Sequence, residues 1–351
     1  MPSSKSPDVI RTEPRADARV PIHVLTGFLG SGKTTLLRHL LADDQLADTA
    51  VVINEFGEVG LDHLLVREVA EDVVLLSSGC LCCSVRDDLV STLAELHAMM
   101  RAKEIPAFAR VVVETTGLAD PAPIMQAILS EATLVPWFRL GQVVTTVDAV
   151  NGEGTLARHR EARQQLANAD RLILTKADLV ESSACELVIG KLGTLNPSAT
   201  LRMSGTTPLP AAEILDDTGH TWERAGPTTL PPLASTRGPA IPFFFGHDDA
   251  IKTFTVALQQ PVEWAAFVDW LELLLASRGD SILRVKGLLS IAGREGPAVV
   301  QGVQHVLYPV EHMAVWPRGS EAPGWIVFIA RDLTQSAIEN SIRSVYERCL
   351  S

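Results

Sequence analysis

At 351 residues, with 46% hydrophobic and 21% charged residues, the chain is long enough for two ordinary globular domains. A net charge of −12 disfavours loose adhesion to nucleic acid or anionic membrane, so neither is an expected partner. The five cysteines, three of them (Cys80, Cys82 and Cys83) within four residues, make a poor secreted disulfide framework.

Residues 1–19 combine Pro with mixed charge and lack an apolar stretch, so a disordered tail rather than a secretory leader is expected there. No apolar run approaches the length of a membrane span, and a reducing, cytoplasmic location is expected. From Val20 onward short apolar runs alternate with helical stretches. The predicted strands are Ile22–Thr26, Ala50–Asn54, Val73–Leu76, Arg110–Glu114, Gln142–Asp148, Arg171–Thr175 and Thr200–Met203. Thr34–Leu46 and Asp87–Arg101 have helical length and spacing. Continuous Val/Ile/Leu runs without alternation suit parallel strands covered on both faces. Residues 20–204 are therefore expected to form an α/β domain of the P-loop NTPase type with a mainly parallel sheet. The stretch 205–242, dense in Pro, Gly and Thr, reads as a linker. Residues 243–351 read as a smaller α+β domain with an antiparallel sheet. Its predicted strands are Ile251–Leu258, Leu283–Ala292, Val299–Tyr308 and Trp325–Ile329, and its helices Val262–Ser277 and Thr334–Arg348.

Gly27-Phe-Leu-Gly30-Ser31-Gly32-Lys33-Thr34 fits the phosphate-loop pattern, with an apolar strand before it and a helical run from Thr35 after it. Glycines let backbone N–H groups turn inward around phosphates, and the helix N-terminus adds positive potential. Lys33 is expected at the β- and γ-phosphates and the Thr34 hydroxyl on Mg²⁺. Glu114 ends a Val-rich strand, where a carboxylate would hold Mg²⁺ through water, and Gly117 would let backbone approach the γ-phosphate. Lys33 and Glu114 are the expected catalytic groups. Thr175-Lys176-Ala-Asp178 closes another apolar strand. A carboxylate there accepts hydrogen bonds from guanine N1–H and the exocyclic amine while the lysine stem covers the ring, so GTP is the expected nucleotide.

Gly79-Cys80-Leu-Cys82-Cys83 offers soft thiolate ligands for Zn²⁺, with Co²⁺ or Ni²⁺ as alternatives. Three cysteines from one short segment leave a tetrahedral site incomplete, which suits passing a metal on. A redox dithiol, or small buried hydrophobes, would use the same residues. Glu58, in the switch-like segment Asn54–Asp62, is a candidate additional ligand; Asp62 and His63 are weaker ones.

Together, Gly27–Thr34, Asn54–Asp62, Cys80–Cys83, Glu114–Pro121 and Thr175–Asp178 resemble the CobW-type family of P-loop GTPases, relatives of the nickel-insertion GTPases UreG and HypB, in the forms of its YjiA-like branch. Three C-terminal phrases extend the resemblance to residues 20–347: Leu283-Arg-Val-Lys-Gly-Leu, Gln301-Gly-Val-Gln-His and Ile326-Val-Phe-Ile-Ala-Arg-Asp-Leu. The resemblance implies slow GTP hydrolysis, metal binding at the Cys-x-Cys-Cys site and delivery to a client metalloprotein, with a homodimer as a candidate assembly. The family's frequent His-rich stretch is reduced here to Gly246-His247-Asp248-Asp249, which argues for one tight metal site rather than storage. The rival reading is a regulatory P-loop NTPase switch whose cysteines hold a structural zinc or sense redox state. Nucleotide-dependent metal release separates the two.

Overall fold

The computed structural model describes residues 17–46, 48–54, 74–77, 85–205, 209–215, 251–317, 320 and 322–348. Seven strands form the first sheet: β1 (Val20–Gly27), β2 (Thr49–Asn54), β3 (Val74–Ser77), β4 (Arg110–Thr115), β5 (Phe138–Asp148), β6 (Arg171–Thr175) and β7 (Thr200–Met203). Their order is β3-β2-β4-β1-β5-β6-β7, and every pairing is parallel. The unbroken Val runs are explained by cover on both faces. Val111 and Val113 of β4 pack with Leu89, Leu93 and Leu96 of α2 (Val85–Ala102) and Met125 of α3 (Ala122–Ser130). Val112 faces the other way, onto Leu36, Leu37 and Leu40 of α1 (Lys33–Leu41). Beyond β5 the sheet is covered by α5 (Arg160–Asn168), which follows α4 (Gly152–Arg158), and by α6 (Ser182–Leu195).

The structure corrects several sequence-based boundaries. Helix α1 ends at Leu41, and a separate 3₁₀ turn spans Asp44–Leu46. The adjacent Asp43 and Asp44 oppose the negative end of the helix dipole, which favours stopping there. Strand β5 starts at Phe138, because its pairing with β1 runs from Val20↔Phe138 onward. Residues 211–215, within the expected 205–242 linker, form α7 (Ala211–Leu215). Its Ala211, Ile214 and Leu215 are buried in the α1 layer, so this short apolar turn belongs to the first core. Residues 206–208 and 216–250, like 1–16, lie outside the described residues.

The second sheet is antiparallel. It contains β8 (Lys252–Ala257), β9 (Ile282–Ser290), β10 (Pro297–Val303), β11 (Val306–Leu307), β12 (Glu311–His312) and β13 (Gly324–Ala330). The order is β11-β10-β9-β13-β8, with β12 also paired to β10. The single strand expected over Val299–Tyr308 is a hairpin instead, turned at Gln304, whose φ is +48°. Phe267, Trp270 and Leu271 of α8 (Trp264–Arg278) and Ile338 and Ile342 of α9 (Gln335–Arg348) cover one face. The two domains meet where α3 and α5 approach β9, β10 and β11.

At that interface Asp170 Oδ1 lies 2.7 Å from both Arg284 Nη2 and Lys286 Nζ. Arg284 also donates to Gln301 Oε1 at 2.9 Å and to the Tyr308 hydroxyl. Burial alone would raise the Asp170 carboxyl, but the Lys286 and Arg284 charges outweigh it and bring its pKa down to about 2.

Candidate functional site

Four neighbouring parallel strands, β4, β1, β5 and β6, point their C-terminal ends the same way. This is the edge at which open α/β sheets bind ligands, because loops there are free to vary while the strands fix their roots. Gly27, Glu114, Asp148 and Thr175 each close one of these strands or lie one residue from its end. The parallel register thus brings together residues separated by up to 148 positions in the chain.

The phosphate loop leaves β1 at Gly27, whose φ of +144° favours glycine. A β-carbon there would fall 2.2 Å from Thr146 Oγ1, so the loop fits against β5 only without a side chain. Ser31 Oγ shares a 2.6 Å hydrogen bond with that same Thr146 hydroxyl. Gly32, at φ +92°, caps α1, and its carbonyl accepts from Leu36 N at 2.9 Å. The Lys33 ammonium arches back over the loop and donates to the carbonyls of Gly27 at 2.9 Å and Phe28 at 3.3 Å. Thr34, in the first turn of α1, donates from Oγ1 to Glu114 Oε1 at 3.0 Å. Thr35 follows in the same first turn.

Gly117 brings the loop after β4 onto the phosphate loop. A β-carbon at 117 would lie 2.5 Å from Leu29 Cδ2 and 2.8 Å from Leu29 N. On the other side, Thr175 Oγ1 donates to Ser31 O at 2.7 Å and to Val147 O at 3.2 Å. This threonine hydroxyl ties β6 to the phosphate loop. Lys176, in a left-handed conformation at φ +56°, donates to Gly30 O at 2.9 Å and pairs with Asp148 Oδ2 at 2.8 Å. The aliphatic stem is thereby drawn across the loop. Asp178 stands exposed in the following 3₁₀ turn, and a β-carbon on Gly205 would come 3.6 Å from its Oδ1. A cavity of about 310 Å³ opens beside the loop, bordered by Phe28, Gly30, Thr146, Asp148 and Lys176.

The structure therefore brings Gly27, Gly30, Ser31, Gly32, Lys33, Thr34, Thr35, Glu114, Gly117, Thr175, Lys176 and Asp178 to one edge. Glu58, Cys80, Cys82 and Cys83 lie outside the described residues, and among the described residues no group of three or more His, Cys, Asp or Glu side chains could hold a metal. Among the described residues the one cysteine, Cys185, is free and buried in the α6 layer.

Two residues escaped the sequence reading. Thr146 sits inside a strand and resembles any other β-branched core residue. Asp148 ends an apolar strand, a signal the sequence does contain. Burial would raise its carboxyl, but hydrogen bonds from Lys176, Asn151 and the Val150 amide outweigh it and hold its pKa below the usual carboxylate value.

Comparison with known proteins agrees with this geometry. Residues 21–202 match the family described as CobW/HypB/UreG, nucleotide-binding domain, and residues 251–346 match the cobalamin synthesis protein cobW C-terminal domain. The zinc chaperone YjiA of Escherichia coli (strain K12) is 33% identical over 91% of this chain and 96% of its own length. The zinc chaperone CobW of Pseudomonas aeruginosa is 31% identical over 93% of this chain and 92% of its own length. The crystal structure of Zn(II)-bound YjiA GTPase from E. coli superposes with a TM-score of 0.68 at 28% identity, covering 93% of this chain and 99% of that one. With both domains matched and the phosphate loop set at the sheet's C-terminal edge, the chain belongs to the CobW/HypB/UreG family.

Proposed function

We propose that this protein is a GTP-hydrolysing metallochaperone that carries zinc at Cys80, Cys82 and Cys83, with Glu58 as a further ligand, and delivers it to a client metalloprotein. The observation that carries the nucleotide half is the convergence of Lys33, Thr34, Glu114, Thr175 and Lys176 on one glycine-lined loop. The metal half is supported by the thiolate chemistry of the cysteine segment and by relatives named zinc chaperones.

The phosphates of GTP enter over Gly27–Thr34, where backbone N–H groups and the α1 N-terminus meet negative charge. Lys33, now on two backbone carbonyls, exchanges them for phosphate oxygens. The Thr34 hydroxyl and Glu114 carboxylate, 3.0 Å apart, are hard oxygen donors of the kind Mg²⁺ takes. When bound there, Mg²⁺ neutralises charge on the β- and γ-phosphates. Asp178 reads guanine and Lys176 covers the ring edge. Gly117 lies against the phosphate loop, so the loop after β4 responds to the γ-phosphate. The cysteine segment lies in the chain between the Asn54–Asp62 and Glu114–Gly117 segments, and one rearrangement on hydrolysis moves all three. Cytoplasmic location and a homodimeric assembly belong to the same reading.

Zinc titration of the full chain with GTP analogue, with GDP and without nucleotide tests it. Zinc affinity is expected to differ between nucleotide states by about 5- to 150-fold, and by linkage zinc changes GTP affinity by the same factor. Cys82→Ser and Cys83→Ser are each expected to abolish tight binding, because a hydroxyl stays protonated and ligates poorly. Equal zinc affinity in all three states overturns the chaperone cycle and leaves a structural or redox role for the cysteines.

A further inference from the structure

Helix α5 is unusual in that Ala162–Asn168 are all buried, although Arg163, Gln164, Gln165 and Asn168 are polar. A helix buried on every side lies between other elements, and its polar side chains need partners there. Gln165, 0% exposed, donates from Nε2 to the carbonyls of Gly117 at 3.1 Å and Ala119 at 3.0 Å. Its own backbone carbonyl accepts from Thr145 Oγ1 on β5 at 3.0 Å. Gln164 Nε2 donates to Asp120 Oδ2 at 2.6 Å, and Asp120 Oδ1 accepts from Ala122 N, at the start of α3, at 3.0 Å. The loop from Gly117 to Asp120 is thus strapped to α5 at three points.

On its opposite side α5 meets the C-terminal domain, where Ala167 packs with Leu283 of β9 and Ile329 of β13. Helix α3, which leaves the same loop, donates from Gln126 Nε2 to Gln304 Oε1 in the β10–β11 turn at 2.8 Å. Both helices that hold the loop are therefore held in turn by the C-terminal sheet.

We propose that Gln165 is a positioning residue that fixes the Gly117–Ala119 loop against the phosphate loop, and that the docked C-terminal domain sets the GTP turnover rate by wedging α5. This rests on the reading of the site as a GTPase. GDP lacks the phosphate to which that loop responds, so the link acts on turnover and on GTP-analogue binding rather than on GDP binding.

The test uses the full chain. Gln165→Leu removes both donors at similar volume, Gln165→Glu keeps the shape but sets an oxygen against the carbonyls, and Leu283→Ala loosens the far side of α5. The two Gln165 variants are expected to lower kcat about tenfold, and Leu283→Ala severalfold, with GDP affinity within twofold of wild type. Amide hydrogen exchange at Gly117–Ala119 in nucleotide-free protein is expected to speed up at least about tenfold in Gln165→Leu. If Gln165→Leu does not fold, Gln165→Glu carries the exchange measurement. Unchanged kcat with unchanged exchange overturns the proposal. Parallel loss of GDP affinity and kcat also overturns it, since a merely structural role does that. Wild type that hydrolyses no GTP sinks the functional reading instead, and the exchange result still decides whether α5 holds the loop.

Discussion

Lys33 directs its ammonium at the carbonyl oxygens of Gly27 and Phe28, a placement it can leave without unfolding anything. Lys33→Ala is therefore expected to leave thermal unfolding close to wild type. It should weaken nucleotide binding or turnover by at least about tenfold, or ~1.4 kcal/mol, because a charge-assisted phosphate contact is lost. Turnover within twofold of wild type contradicts the assignment of this loop to phosphate. Asp178 is exposed, and in the proposed reading it accepts two guanine donors at once. In Asp178→Asn the amide accepts one and presents its own NH₂ to the other. GTP affinity should fall at least about tenfold in equilibrium binding, with no gain or loss for ATP. Wild type that turns over ATP as fast as GTP removes the guanine assignment.

Strand β1 carries His23 between the apolar Ile22 and Val24. His23, 1% exposed, accepts from Gln142 N at Nδ1 over 3.1 Å and fits only because position 141 on β5 is glycine, where a β-carbon would fall 2.9 Å from the ring. Burial, then the charges of Arg110, Arg139 and Arg171, lower its pKa to about 3 from 6.5. The folded state thus keeps the imidazole neutral while the unfolded chain protonates below pH 6.5. His23 disfavours unfolding in full above that pH, and the contribution fades as pH falls toward 3. Between pH 6.5 and 5 the loss is roughly 2 kcal/mol. Urea unfolding of wild type and His23→Gln across this range should show a steeper decline in wild type. Parallel lines would mean that the histidine is hydrated. Among the elements, α7 shows how a five-residue helix hides in a Pro- and Gly-rich stretch: its three buried apolar residues declare themselves only once α1 is beside them.

Across the whole molecule, the three C-terminal phrases noted in the sequence turn out to serve the junction between domains. Arg284 and Lys286, 1% and 3% exposed, are balanced there by a single carboxylate, Asp170. Asp170 precedes β6, the strand that ends at Thr175, so the junction and the loop carrying Lys176 and Asp178 lie at opposite ends of one strand. Asp170→Asn leaves two buried cations without an anion. Denaturant unfolding should register a loss of about 3–5 kcal/mol. Because the Asp170 pKa is held at about 2, its stabilisation is complete above the ordinary carboxylate range and disappears only as pH falls from roughly 4 to 2. A variant as stable as wild type would mean that the two domains dock without this charge cluster.

The amino-acid sequence alone determined the α/β class, most strand positions and the residue types of the phosphate loop and of the Thr175–Asp178 loop. These follow from local physics: apolar runs report burial, and glycines, Lys and Thr at set spacing report a turn that admits phosphate. Only the tertiary structure decided that Thr34 meets Glu114, that Thr175 grips Ser31, that Thr146 and Asp148 belong to the site, and that Gln165 holds the Gly117 loop. Those contacts join strands distant in the chain, and strand order in a parallel sheet leaves no periodic trace in any one strand. The junction was likewise hidden, because Asp170 and Arg284 are 114 residues apart and each alone reads as an ordinary charged residue.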